Sequence, residues 1–209
     1  MRQYFFLGAT LLSFLLASCS ETGKQTNTET SAPVQTSSIS AHSVETEFGV
    51  TSCKQEPDMS DPNETPYLRC PGVAGYSLIV RRVDSGRKSI DIIDRRQQAH
   101  PLNYQDVISR QMFALGGRAE WRIVGSGEQQ TPVALIVSVK THENVDDPEK
   151  VTNTYLAVAK ITQEDVCVTD RIVEGSLSAE QLRQVADEAP KKPCLPPRPP
   201  LPGDTNTAQ

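Results

Sequence analysis

The chain has 209 residues with 21 Lys+Arg against 26 Asp+Glu, a formal net charge of -5, and charges of both signs interspersed. No basic stripe marks a nucleic-acid surface, and no basic amphipathic helix marks a lateral membrane contact. Aromatic residues make up only 5% of the chain.

The N-terminus is the most specific segment. Met1-Arg2 forms a short positive start, and Tyr4 to Leu16 run almost wholly apolar. That is about 13 residues, against the roughly 20 that a helix needs to cross a bilayer core. The segment therefore fits the apolar region of a secretory leader rather than a membrane span. It ends in Leu16-Ala17-Ser18-Cys19, which resembles the bacterial lipobox. The resemblance implies removal of residues 1–18 and acylation of the Cys19 thiol. Acyl chains contribute about 0.8 kcal/mol per buried methylene, so two or three hold a protein essentially permanently. Ser20, rather than Asp, follows the cysteine, which by the same resemblance points to the periplasmic face of the outer membrane.

Residues 19–45 are rich in Ser, Thr, Gln and Asn and are expected to form a flexible tether. At the far end, residues 196–209 include Pro196-Pro197-Arg198-Pro199-Pro200. They are expected to form a disordered, Pro-rich tail of polyproline II character. Residues 46–195 have the size of one ordinary domain. Besides Cys19 they hold Cys53, Cys70, Cys167 and Cys194. An even cysteine count in an exported chain reads as disulfides. Of the three possible pairings, closeness in sequence favours Cys53–Cys70 and Cys167–Cys194. A four-cysteine zinc site is the competing reading, and the absence of any CxxC pair counts against it.

Taken in chain order, Tyr76–Val83 and Lys88–Asp94 read as a hairpin turning at Asp84-Ser85-Gly86. Tyr104–Leu115 spaces Tyr104, Val107, Ile108, Met112 and Leu115 as one side of a helix, with Gly116 as its stop. Ala119–Val124 alternates, with Ala119, Trp121 and Ile123 on one face and Glu120 and Arg122 on the other. Pro132–Lys140 and Thr154–Thr162 read as central strands, and Val166–Val173 as a further one. Ser178–Ala189 carries a helix signature: Ser178 with Gln181 as a capping box, an apolar stripe through Leu182, Val185, Ala186 and Ala189, then Pro190. The expected fold is α+β: an antiparallel meander of about six strands, with one or two helices on one face and two disulfides.

Catalytic signatures are scarce. His42 lies in the tether, and neither His100 nor His142 belongs to an HExxH pair. Ser126, in Gly125-Ser126-Gly127, reads as a turn and not as a nucleophile elbow. Asn144, Asp146, Asp147 and Glu149 form an acidic stretch without the Gly and Glu positions of an EF-hand. The suggestive polar residues are charges within strands: Arg81, Arg82, Asp84 and Arg87 at the hairpin, and Glu120 and Arg122 beside Trp121. Arginines can recognise carboxylate or phosphate bidentately. The plainer reading is cross-strand ion pairing over a buried Trp121. No cofactor or metal is expected.

Arg69-Cys70-Pro71-Gly72, Gly75-Tyr76, Glu120-Trp121-Arg122, Ala134-Leu135-Ile136-Val137, Cys167-Val168 and Val185-Ala186-Asp187 resemble pieces of small exported proteobacterial proteins without established activity. The hairpin from Asp84 to Ser89 is similar to an exposed loop of periplasmic lysozyme inhibitors, although their Gly-Asp loop is not present. These features imply a membrane-anchored envelope protein, leaning away from an enzyme, that binds a protein or an anionic glycan. An inhibitor of lysozyme or another envelope hydrolase is a second reading. An enzyme acting on envelope glycan or lipid through Asp84 or Glu120 is a third.

Overall fold

The computed structural model of the protein describes residues 40–57, 66–144 and 146–200. The leader, Cys19, the tether up to residue 39 and residues 201–209 lie outside the described residues.

The chain begins with β1 (His42–Glu47), then runs through β2 (Lys54–Glu56), β3 (Tyr67–Pro71), β4 (Ser77–Arg82), β5 (Lys88–Ile93) and β6 (Ala99–Pro101). After the single helical turn α1 (Tyr104–Val107) come the long strands β7 (Met112–Val124), β8 (Thr131–His142), β9 (Asn153–Ile161) and β10 (Val166–Val173). The helix α2 (Ala179–Asp187) follows, with a 3₁₀ turn at Ala189–Lys191. Two five-stranded antiparallel sheets result, ordered β1-β7-β8-β9-β10 and β2-β3-β4-β5-β6. The strands β2 to β6 form one meander and β7 to β10 the other, while β1 joins the second meander by pairing with β7.

The α+β class, the antiparallel sheet, the helix on one face and both disulfides are as expected. The arrangement is richer, with ten strands in two sheets rather than about six in one. Side chains of period 2 explain the packing. Leu78, Val80, Ile90 and Ile92 of one sheet meet Trp121, Leu135, Val137 and Ala159 of the other in a single buried cluster. On its opposite face the β7–β10 sheet presents Ala134, Ile136 and Val158 to Leu182, Ala186 and Ala189. Burial on both faces accounts for the continuous apolar run of β8. The cap of α2 is the expected box: Ser178 Oγ accepts from Gln181 N at 3.2 Å, and Gln181 Oε1 accepts from Ser178 N at 2.9 Å.

The expected helix over Tyr104–Leu115 is corrected. Only Tyr104–Val107 is helical, and Met112–Leu115 opens β7, with Met112 opposite His142 and Leu115 opposite Val139. The apolar spacing correctly marked Tyr104 and Ile108 as buried, but pairing with β8 decides the backbone beyond them. Gly116 does not stop a helix. It sits at an irregularity between Leu115 and Ala119, where an added Cβ would come 3.1 Å from Ser138 Cβ.

Two boundaries also move. β1 starts at His42, inside the segment expected to be tether, because Val44 packs on the core and Thr46 Oγ1 accepts the Trp121 indole N–H at 2.8 Å. At the other end the chain stays docked past residue 195. Leu195 N donates to Val168 O at 2.8 Å, and Arg198 donates from its backbone to Asp106 O and from its side chain to Ile108 O. The disulfides pair Cys53 with Cys70 and Cys167 with Cys194. The first ties the approach to β2 onto β3, and the second ties β10 to the segment beyond α2.

Candidate functional site: the open end between the sheets

The six charged residues singled out in the sequence fall into two separate groups, one on each sheet. Glu120 and Arg122 lie on β7, on the face covered by α2 rather than in water. Arg122 is 5% exposed. Its guanidinium grips Asp187 of α2 in a two-pronged ion pair, Nε to Oδ1 at 2.7 Å and Nη2 to Oδ2 at 2.8 Å. It also donates to Ser43 Oγ at 2.5 Å and Ala41 O at 2.9 Å, tying α2 to β1 across β7. Glu120 accepts from Ser43 and from Arg183 Nε, the latter at 2.7 Å. That bond raises the Arg183 pKa above its ordinary value. Lys192 pairs with Asp170 at 2.8 Å and completes the docking of this segment. Both β7 charges thus clamp a helix, and Trp121, on the opposite face of β7, lies fully buried in the core between the sheets.

The hairpin group is mixed. Arg81 pairs with Asp91, which lies fully buried on the neighbouring strand. Burial pushes the Asp91 carboxyl above its ordinary pKa, with the Arg81 charge opposing. Asp84 caps its own turn, accepting from the backbone of Gly86 at 3.1 Å and of Arg87 at 2.9 Å. Burial works against its charge, but these bonds and the Arg87 side chain hold its pKa below the ordinary range. Arg87 also donates to Arg110 O at 2.7 Å and lies over the Phe113 ring. A Cβ on Gly86 would come 2.2 Å from the end of Met112, so the hairpin tip is pressed against the start of β7. Arg81 and Arg82 are both exposed, and Arg82 alone of the six takes part in no ion pair or hydrogen bond among the described residues.

Beside that tip the two sheets part. A cleft of about 310 Å³ opens there, lined by Phe48, Leu68, Val80, Lys88, Phe113 and Leu115 with backbone from Gly49, Gly86, Ala114, Gly116 and Gly117. No family model, curated protein or solved structure matches this chain. The site therefore rests on its own geometry. Its apolar wall went unnoticed in the sequence because Phe113 and Leu115 look helical there and Phe48 borders the tether. Phe113-Ala114-Leu115 is an unbroken apolar run and shows no strand alternation of its own.

A second cleft of about 410 Å³ lies at the opposite end of the hairpin strands and includes Tyr76, Asp94, Arg95 and His100. Its charges are already used. Asp94 Oδ1 accepts from the backbone of Gln98 and Arg96, each at 2.8 Å, and Oδ2 lies 3.4 Å from His100 Nε2. The Gln98 bond is the main cause of its lowered pKa. Arg95 donates to Ala74 O and Gln130 O and covers the Tyr76 ring. Ser126 lies in the β7–β8 turn, and Asn144 Oδ1 accepts from Asp146 N at 3.0 Å in an exposed loop. Among the described residues no three His, Cys, Asp or Glu side chains are grouped to hold a metal ion.

Proposed function

We propose that this is a lipid-anchored envelope protein, tethered through Cys19 at the periplasmic face of the outer membrane. Its folded part binds a ligand at the open end between the sheets and performs no chemistry on it. The leader and lipobox support the anchor. The cleft supports the binding role: it is concave, mainly apolar, and bordered by few polar groups, the usual make-up of a ligand site. Arg81, Asp84, Arg87, Glu120 and Arg122 are spent on holding the fold, which leaves the cleft and its rim as the surface available for recognition.

The test is photo-crosslinking in the envelope of the producing cell. A benzophenone amino acid replaces Arg82 at the rim or, as a control, the exposed Val173 on β10. A discrete adduct from position 82 and none from position 173 is the expected result. Equal or absent adducts at both positions contradict it.

A further inference from the structure

The rim of the cleft carries information about the ligand, given that the open end is the binding site as proposed above. On the hairpin the core-facing row pairs Leu78 with Ile92, then Val80 with Ile90, and the next pair in that row is Arg82 with Lys88. Period 2 keeps all six residues on one side of the sheet. The row thus changes from apolar to doubly cationic where it leaves the core and reaches the cleft.

Two like charges directly opposite each other on neighbouring strands are destabilising. Both residues are exposed, and neither belongs to an ion pair among the described residues. The carboxylate nearest in sequence, Asp84, is held by Arg87. No carboxylate lines the cleft itself. An apolar pocket with an uncompensated cationic lip is complementary to a molecule with an apolar body and an anionic end. The volume of about 310 Å³ lies at the small end of ligand sites, roughly 300–1,000 Å³, which suits a single chain.

We infer that the cleft takes the acyl chain of an anionic single-chain amphiphile, with Lys88 and Arg82 holding its head group. A carboxylate or a phosphate head satisfies the same chemistry. The acyl chain lies against Val80, Phe113 and Leu115, and the head group stays in water at the lip. The Cys19 anchor proposed above would put such molecules within reach of the cleft.

The test is calorimetric titration of the oxidised chain from Ser20 onward, which keeps every described element, at ligand concentrations below micelle formation. Laurate and lauroyl lysophosphatidate are the anionic probes, and dodecyl maltoside is the neutral one. One saturable site for an anionic probe is expected, with the maltoside weaker by about tenfold or more, the usual scale of one charged contact. The anionic probe bound more tightly identifies a fatty acid or a phospholipid as the source.

The double variant Arg82→Ala/Lys88→Ala should weaken the anionic probes by about tenfold and leave the maltoside unchanged. Gly49→Leu should remove binding of all three. Gly49 lines the cleft, an added Cβ there meets nothing within 4 Å, and its φ is not in the left-handed region. Urea unfolding of both variants checks that they fold as the parent does. Absence of saturable anionic binding, equal binding of charged and neutral heads, or an unchanged affinity in the rim variant would overturn the inference. Crosslinking from position 82 without amphiphile binding would refute this ligand class and leave the binding site standing.

Discussion

Arg122 separates a recognition role from a structural one, and its surroundings allow the cost of losing it to be worked out. Arg122 is 5% exposed, and its guanidinium makes two bonds to Asp187, one to Ser43 and one to Ala41 O. A bond to a charged partner contributes about 1.5–3 kcal/mol, and breaking a buried pair from one side costs about 3–5 kcal/mol. The Asp187 side chain keeps 34% of its exposure and regains water when released, which places Arg122→Ala at the low end, about 3 kcal/mol. Asp187→Ala strands a buried guanidinium on two neutral acceptors and should cost about the same. Removing both should cost about 4 kcal/mol, a coupling of about 2 kcal/mol. Urea unfolding of the oxidised protein reads this directly. With a slope of about 2 kcal/mol/M, each single variant moves the midpoint down by about 1.5 M. Single variants within about 0.5 kcal/mol of the parent, the range of ordinary surface changes, would show that the clamp contributes little. The case for Arg122 as a recognition residue would then reopen.

Three further outcomes follow from the same packing. Ser178→Ala removes the Oγ acceptor of the capping box and should lower stability by about 1 kcal/mol, measured by urea unfolding. Replacing Cys167 and Cys194 together by Ala should cost about 3.5 kcal/mol for a cross-link 27 residues apart in the chain-entropy picture; a change below about 1 kcal/mol would contradict it. Asp91 ionises at an ordinary value near 3.8 when unfolded and higher when folded. Between those values the folded state holds the extra proton, so this group lowers stability as pH rises. Asp91→Asn removes that loss, and melting temperatures from pH 4 to 7 should show the variant gaining on the parent with rising pH. A parent that gains on the variant would refute the burial argument.

Local signals were legible wherever one short segment carries its own instruction. The capping box at Ser178 and Gln181, the turn after Asp84 and the alternation around Trp121 each specify a backbone or a buried face without outside help. The disulfide pairing followed from separations of 17 and 27 residues. Elements set by distant partners were not legible. His42–Glu47 is polar and becomes a strand because β7 offers it a ladder and the Trp121 indole N–H donates to Thr46 Oγ1. Lys54–Glu56 and Ala99–Pro101 are each three residues long, too short to show periodicity. Met112–Leu115 carries helical spacing and a strand's neighbours, and the neighbours win, as tertiary context commonly does.

The same division explains the candidate site. Charged residues in and beside strands stand out in a sequence, yet four of the six hold elements together and Asp84 caps its own turn. The cleft draws its walls from Phe48, Leu68, Val80 and Phe113, which meet only when the two sheets face each other. In the sequence Lys88 is simply the first residue of a strand. Its interest arises from the register that places it opposite Arg82.

The anchor is the part of the functional account that a single measurement reaches most directly. The protein would be produced in its native envelope, the membrane fraction digested, and the N-terminal peptide of the mature chain analysed by mass spectrometry. The expected result is a peptide beginning at Cys19 with acyl chains on it, and loss of both acylation and membrane retention in Cys19→Ala. A peptide beginning elsewhere, or an unmodified Cys19 on a protein found free of the membrane, would contradict it.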